Sequence, residues 1–335
     1  MSEATGTARR ARIAVVIPCF RVRDHILAVL SGIGREVDAV YVIDDACPES
    51  TGEHVRSSCP DPRVRVIRLE RNLGVGGATM RGYRAAIDEG MDILVKLDGD
   101  GQMDPARIPS LVRPIAEAEA DYAKGNRFFD LDDAGKMPFV RLVGNSLLSL
   151  VNKMASGYWD VMDPTNGFTA LHAAVCRALP LEKISHDYFF ESDMLFRLAT
   201  LRAVVVDVPM PAHYGSETSN LRVGRAAATF PGRFVLRTLK RYFYCYFLRD
   251  FNAGTAQFVI GLALAIGGAI FGGVHWLESI ETGVPATAGT IMLAALPVLI
   301  GGHLLISALN YDIANVPRRP LHPQLAAAAG PGGSP

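Results

Sequence analysis

The chain has 335 residues, more than one small domain needs and enough for a large α/β domain with an appendage. Its 34 basic and 34 acidic residues cancel, which excludes a net field for attracting nucleic acid. The five cysteines (Cys19, Cys47, Cys59, Cys176 and Cys245) form no CxxC pair and no regular framework, which argues against a disulfide scaffold or a zinc ribbon and for reduced thiols on the cytosolic side of a membrane.

Residues 1–11 are small and polar, with Arg9, Arg10 and Arg12 close by, and lack the apolar run of a secretory signal; a disordered start is expected. Strand-like runs follow at 12–17, 39–43, 64–69 and 93–97, separated by helical patterns near 24–33, 49–57 and 76–89. Continuous apolar strands joined by helices imply a mostly parallel sheet with both faces covered. Ligands bind such sheets outside the carboxyl ends of the strands. The segments at those ends are Pro18-Cys19-Phe20, Asp44-Asp45-Ala46-Cys47-Pro48 and Asp98-Gly99-Asp100-Gly101-Gln102. Asp104-Pro105 then reads as a helix N-cap followed by proline at the first helical position.

Asp98 and Asp100 flank one glycine, so past a strand end both side chains can converge on one ion. Such oxygen ligands suit Mg²⁺ or Mn²⁺ rather than zinc, and an ion of that kind completes its shell with phosphate oxygens. On its own the tripeptide is more often a plain turn, and so is Asp44-Asp45; in the functional reading the latter accepts hydrogen bonds from a nucleobase or ribose. Gly74-Val75-Gly76-Gly77 opens a helix but misses the dinucleotide fingerprint, because Thr79 stands where the third glycine belongs. It reads as close backbone packing beside a ligand.

The C-terminal part changes character. No residue from Ala253 to Leu277, nor from Thr282 to Tyr311, carries a formal charge, and each run exceeds the ~20 residues that span a bilayer. Glu278 to Glu281 reads as a short acidic loop between them. Arg233, Arg237, Lys240, Arg241 and Arg249 precede the first run, Arg318 and Arg319 follow the second, and the loop has no cation. Both ends therefore face the cytoplasm, giving an integral protein of the cytoplasmic (inner) membrane with its large domain on the cytoplasmic side. Frequent Gly and Ala permit close helix contacts, and with them a homo-oligomer, whose state the sequence leaves open. Arg233, Arg237 and Arg241 recur every four positions opposite a stripe of Val235, Leu239, Tyr242 and Tyr246. That pattern is either an ordinary surface helix or, given its place before a span, an interfacial helix whose basic face meets anionic head groups. The Ala/Gly/Pro-rich tail after Pro320 reads as disordered.

One ordered set of short motifs runs through the chain: Val15-Val-Ile-Pro18, Val42-Ile-Asp-Asp45, Asn72-Leu-Gly74, Asp98-Gly-Asp-Gly-Gln102, Gly125-Asn-Arg-Phe128, Asp163-Pro-Thr-Asn-Gly-Phe168 and Phe189-Phe-Glu-Ser-Asp193. The set resembles the family 2 glycosyltransferases, in the branch of the dolichyl-phosphate mannose synthases and polyprenyl-phosphate glycosyltransferases. The resemblance implies an α/β GT-A domain (nucleotide-diphospho-sugar transferase, Rossmann-like) over 12–220, juxtamembrane amphipathic helices over 221–250, two transmembrane helices over 251–312 and a disordered cytoplasmic tail over 313–335. It implies that Pro18, Phe20 and Asp45 line the nucleobase pocket, that Asp44 supports that loop, and that Asp98 also serves the nucleotide. Asp98, Asp100 and Gln102 become the metal and diphosphate motif for Mg²⁺ or Mn²⁺. Arg127 sits near the donor or the acceptor phosphate, and Asp163 and Asn166 belong to the acceptor side. Glu191 and Asp193 stand where relatives place an acidic catalytic motif. A later phosphate-binding loop usually carries Arg at 213 and often Lys near 218. Here they are His213 and Thr218, so a protonated His213 or Arg222 has to serve.

The resemblance thus implies inverting transfer of a sugar from a UDP- or GDP-sugar donor to a polyprenyl phosphate in a lipid bilayer, with no nucleic-acid partner. Because such a phosphate is already anionic near neutral pH, charge placement matters more than a strong base. Asp163 or Glu191 orients the acceptor or takes a residual proton. Two other readings stand beside it: transfer to a sugar hydroxyl of a polysaccharide or lipid-linked glycan, and a non-catalytic membrane subunit that keeps the fold.

Overall fold

A computed structural model describes residues 10–129, 139–211 and 223–329. Contacts divide the chain into two units, Met1–Arg237 with Pro317–Pro335, and Thr238–Val316.

The first unit opens with the alternation expected from sequence: β1 (Ile13–Cys19), α1 (Arg23–Ser31), β2 (Ala39–Asp44), α2 (Thr51–Ser58), β3 (Val64–Arg68), α3 (Gly74–Asp88) and β4 (Ile93–Lys96). A 3₁₀ turn, Pro105–Arg107, leads into α4 (Ile108–Ala116), and Asp104 caps that turn by accepting from Ala106 N–H at 2.9 Å. β5 (Tyr122–Asn126), α5 (Phe139–Ser156), β6 (Thr169–His172), α6 (Ala173–Ala178), α7 (Phe190–Leu201) and β7 (Val205–Pro209) follow. The seven strands lie in the order β3-β2-β1-β4-β6-β5-β7. β1 pairs in parallel with β2 and β4, β2 with β3, and β5 with β7, while β6 runs antiparallel to both β4 and β5.

Strand alternation sends Ile13, Val15 and Ile17 to one face, against Ile26, Val29 and Leu30 of α1 and Ile108, Leu111 and Ile115 of α4. Each such buried side chain contributes roughly 1.5–3 kcal/mol by leaving water. The other face takes α3 at close range. A Cβ on Gly82 would collide with Val16 and crowd Ile43, so only glycine lets that helix lie on β1 and β2.

The tail departs from expectation. Residues His322–Ala329 form a helix, α11, rather than a structureless segment. Its anchor is Asp121, a fully buried carboxylate just before β5, which accepts from Leu321 and His322 N–H, from the His322 ring at 2.8 Å and from Val204 N–H. Burial pushes that carboxyl up, but the His322 ring and the backbone donors outweigh it and hold the group below its usual range. His322 also stacks on His172, with ring centroids 4.2 Å apart. Composition hid this docking, because one buried acid fixes the segment.

The helix α8 (Val223–Tyr242) carries the basic stripe, and the structure corrects its reading as a head-group binder. Within the first unit Arg233 reaches Asp187 at 2.8 Å and Arg237 reaches the buried Asp193 at 2.6 Å. Within the second, Arg241 binds Asp312 through both terminal guanidinium nitrogens, at 2.7 and 2.9 Å, with both partners buried. The four-residue spacing does align the arginines, but each meets a carboxylate of its own unit, half exposed for Asp187 and buried for Asp193 and Asp312.

The second unit is a helical hairpin, α9 (Ala253–Thr282) and α10 (Ala288–Ala314). Both helices are long and apolar enough to cross a bilayer, and only 11 % of the most apolar window of each is buried, unlike a soluble core helix. Gly261, Gly268 and Gly301 sit where a Cβ would press on the facing helix, so small residues set the closeness of the pair. Glu278 and Glu281 lie in the last turns of α9 rather than in a loop; the turn is 283–287, closed by Gly283 at φ +69°. Asn252 and Thr255 form a capping box at the start of α9. Tyr246 adds a hydroxyl donor to Asp312 beside Arg241.

Replacing one partner of this buried pair strands the other. Asp312→Ala should destabilise the second unit by about 3–5 kcal/mol. Thermal unfolding of the full chain in detergent, followed by helical circular dichroism, should show a second-unit transition shifted well below that of the parent.

Candidate active site

The carboxyl ends of β1, β2 and β4 open on one cleft of about 590 Å³, lined by Pro18 to Val22, Asp45, Asn72, Gly74, Val75, Asp98 to Asp100, Asp187 and Tyr188. Strand register produces this convergence, since Cys19 pairs with Asp44 at the exits of β1 and β2 and Val16 pairs with Lys96 two residues before Asp98.

The two acids after β2 divide the work. Asp44 is buried and accepts from Cys47 and Gly52 N–H, both at 2.8 Å, so it shapes the turn into α2. Asp45 faces the cleft and accepts from Leu73 N–H at 2.6 Å and Gly74 N–H at 2.9 Å, which ties the glycine-rich start of α3 to β2. Burial pushes the Asp45 carboxyl above its usual range against the pull of those two donors. Gly74 takes φ +77°, and a Cβ on Gly76 would collide with Ser185 O; Gly76 N–H donates to His186 O at 2.9 Å instead. The glycine run therefore serves close backbone approach, as its failure to fit the fingerprint suggested.

After β4, Asp98 meets a side chain that motif reading passed over. Lys96 is fully buried, and its Nζ donates to Asp98 Oδ1 at 2.7 Å and to Gly167 O at 3.3 Å, and lies 3.4 Å from Glu191 Oε1. Burial alone would lower the ammonium, but Asp98 and Glu191 outweigh it and hold the group above the usual lysine range. Its one visible signal was a lysine in the apolar run Ile93-Leu-Val-Lys-Leu97. Asp98 Oδ2 looks out beside Gly167, where a Cβ would sit 2.7 Å from it. Asp100 accepts from Gln102 N–H at 3.0 Å, which curls the loop.

Among the described residues no three His, Cys, Asp or Glu side chains gather as a complete metal cage. The donor set still fits Mg²⁺ or Mn²⁺. Two hard carboxylates line an open cleft, one of them with an oxygen in a cradle that only glycine leaves clear, and such ions take their other ligands from phosphate and water.

Gln102 lines a second, smaller pocket of about 50 Å³ together with Arg127, Asn166, Phe168 and Met210. Here Arg127 donates Nε and Nη2 to the buried Asp163 at 2.7 and 3.1 Å, a forked pair that aims the guanidinium. Asn166 donates to Gly125 O at 2.8 Å and accepts from Phe168 N–H at 3.0 Å, fixing the turn before β6. Beneath it lies a second buried lysine, Lys124, whose Nζ donates to Asn166 O. Burial pushes Lys124 down to about 8 although Glu191 and Asp163 pull it up. Burial likewise pushes Asp207, on β7, up to about 6.

The structure thus brings Asp98 and Glu191 together through Lys96, sets Asp100 beside Asp98 in the cleft lining, and gathers Arg127 with its partner Asp163, Asn166 and Gln102 at the smaller pocket. Asp193 lines neither pocket. It is fully buried under Ser185, Arg197 and Arg237, where it anchors the start of α7. His213, Thr218 and Arg222 lie outside the described residues.

The profile of the family described as "Glycosyl transferase family 2" matches residues 14–179. An undecaprenyl-phosphate mannosyltransferase of Micrococcus luteus is 32 % identical over 206 residues, covering 59 % of this chain and 82 % of that protein. A UDP-N-acetylglucosamine–dolichyl-phosphate N-acetylglucosaminyltransferase of Methanococcus voltae is 26 % identical, covering 60 % of this chain and 86 % of that protein. Among solved structures, glucosyl-3-phosphoglycerate synthase from Mycobacterium tuberculosis with bound UDP superposes with a TM-score of 0.53 at 20 % identity, covering 68 % of this chain and 80 % of that one; this likeness concerns the fold. The chain belongs to glycosyl transferase family 2 and is a glycosyltransferase of the GT-A fold.

Proposed function

We propose that the enzyme transfers a sugar from a nucleotide-sugar to a polyprenyl phosphate at a membrane, with inversion at the anomeric carbon and with Mg²⁺ or Mn²⁺. The observation that carries this reading is the pair of adjoining pockets: a large cleft holding Asp98 and Asp100, and a smaller one into which Asp163 aims Arg127. The named relatives that transfer sugars to undecaprenyl or dolichyl phosphate support it. So do the two helices able to cross a bilayer and an exposed apolar stripe, Leu147, Leu150 and Met154, on α5. Lys and Arg placement favours a catalytic unit on the cytoplasmic side.

In this mechanism the cleft takes the nucleoside diphosphate, with Pro18, Phe20 and Asp45 at the base end and Asp98 and Asp100 at the diphosphate end. The bound ion would offset the charge that builds on the departing diphosphate. Arg127 holds the acceptor phosphate, and an oxygen of that phosphate forms the new bond to the anomeric carbon as the bond to the diphosphate breaks. No strong base is required, since the attacking phosphate is already anionic. Lys96 holds Asp98 and Glu191 in place, so their arrangement precedes substrate.

Purified full chain in detergent, incubated with Mn²⁺, a short polyprenyl phosphate and each nucleotide-sugar in turn, should yield lipid-linked sugar with one donor. Asp100→Ala should lower that rate by about 100-fold or more. Donor cleavage that occurs only with a sugar-hydroxyl acceptor would move the reading to a polysaccharide or lipid-linked glycan.

The buried lysine also predicts a pH response. Lys124 has a folded value of about 8 against an ordinary 10.5, so between those limits the unfolded chain binds more protons than the folded one. Stability should therefore rise as pH increases from about 8 towards 10.5. Comparing the unfolding midpoints of the parent and Lys124→Met across that window isolates the effect, which the variant should lack.

A further inference from the structure

The large cleft is lined by four carboxylates, Asp45, Asp98, Asp100 and Asp187, and by one cation among its described lining residues, Arg21. All four are held: Asp45 by Leu73 and Gly74 N–H, Asp98 by Lys96, Asp100 by Gln102 N–H, and Asp187 by Arg233. The Arg21 guanidinium has no hydrogen-bond or ion-pair partner among the described residues. It lies over the Phe20 ring, 5.5 Å from the centroid, and Phe20 is itself 38 % exposed to the cleft.

The backbone at this position is also unusual. Arg21 takes φ +59°, the left-handed region that glycine and asparagine adopt readily and a long side chain does not. Its N–H is fixed by donation to Cys47 Sγ at 3.1 Å, in the turn that follows Asp45. Arg21 does not cap α1; the residue at that cap is Val22. Among the described residues its side chain meets only the Phe20 ring, yet a strained position lining the cleft carries it, which is the pattern of a residue kept for binding.

We propose that Arg21 is a specificity-determining residue for the nucleobase of the donor; the inference rests on the nucleotide-sugar reading above. A guanidinium is planar and offers donors only. Lying on Phe20 beside Asp45, it reads the oxygen-bearing edge of a base stacked in the cleft. It therefore favours uracil over cytosine, or guanine over adenine, because the amino groups of cytosine and adenine present donors to a donor.

The test is calorimetric binding of UDP, CDP, GDP and ADP to the full chain in detergent with Mn²⁺, beside its thermal unfolding. The parent should bind the oxo-base member of one pair about tenfold or more tighter than its amino partner. Arg21→Asn suits the same backbone, so its unfolding midpoint should hold while the preference collapses. Arg21→Lys keeps the charge without the planar fork and should lose the preference too; if the Asn variant unfolds early, this variant decides alone. An Asn or Lys variant that keeps the parent's preference overturns the role of Arg21 and leaves the donor reading intact. A parent that binds a nucleotide without base preference does the same. A parent that binds none of the four overturns both.

Discussion

A buried ammonium group holds the catalytic unit's working parts in register. Lys96 leaves water entirely, and an uncompensated charge there would cost several kcal/mol. Its compensation comes from three segments far apart in sequence: Asp98 after β4, Gly167 in the turn before β6, and Glu191 in the first turn of α7. The fold cannot satisfy this cation without bringing those segments together, and Asp98 then stands in the lining of the large cleft. The same contact fixes which Asp98 oxygen stays available, because Oδ1 is engaged and Oδ2 opens beside Gly167.

The reversed strand makes this arrangement possible. β6 runs antiparallel between β4 and β5, so the turn preceding it, Asp163 to Phe168, arrives at the carboxyl ends of its neighbours, where Asp98 and Arg127 emerge. An all-parallel sheet would bring the amino end of that strand to the opposite edge. Lys124 repeats the logic of Lys96 one strand over. It is buried, it holds the Asn166 carbonyl, and it faces Glu191 and Asp163. Asp163 and Glu191 are thereby answered by fixed cations rather than by solvent.

The first four strands and the helices between them were legible because each strand is a continuous apolar run with turn chemistry at its end. The later strands were not. Tyr122–Asn126 and Thr169–His172 are four or five residues long and carry Lys124, Asn126, Thr169 and His172, polar groups whose place in a sheet depends on partners far away in sequence. The motif residues stand at the cleft for the same reason that the strand ends were readable. Asp193 illustrates the limit. An acid two residues from Glu191 in a helix's first turn reads as a partner in chemistry, but the two point differently around the helix axis, and Asp193 turns inward to Ser185, Arg197 and Arg237. Lys96 and Lys124 show the converse, since a lysine in an apolar strand means a buried carboxylate nearby, and sequence does not say which.

The arginines of α8 follow from the same electrostatics. A row of Arg at four-residue spacing before an apolar helix has the pattern of a head-group binder. A buried Asp also needs a cation, and an arginine stem can reach one, as Arg241 does when its guanidinium forks onto both oxygens of Asp312. Asp193 and Asp312 are both fully or nearly fully buried, and Arg237 and Arg241 meet them at 2.6 and 2.7 Å. The desolvation of those carboxylates far exceeds what a solvated lipid phosphate offers an exposed arginine, which is about 1 kcal/mol per residue near an anionic surface. The competition therefore goes to the internal acids. Among the described residues α5 presents an exposed apolar stripe, Leu147, Leu150 and Met154, and a surface of that kind is attracted to lipid through hydrophobic area rather than through charge.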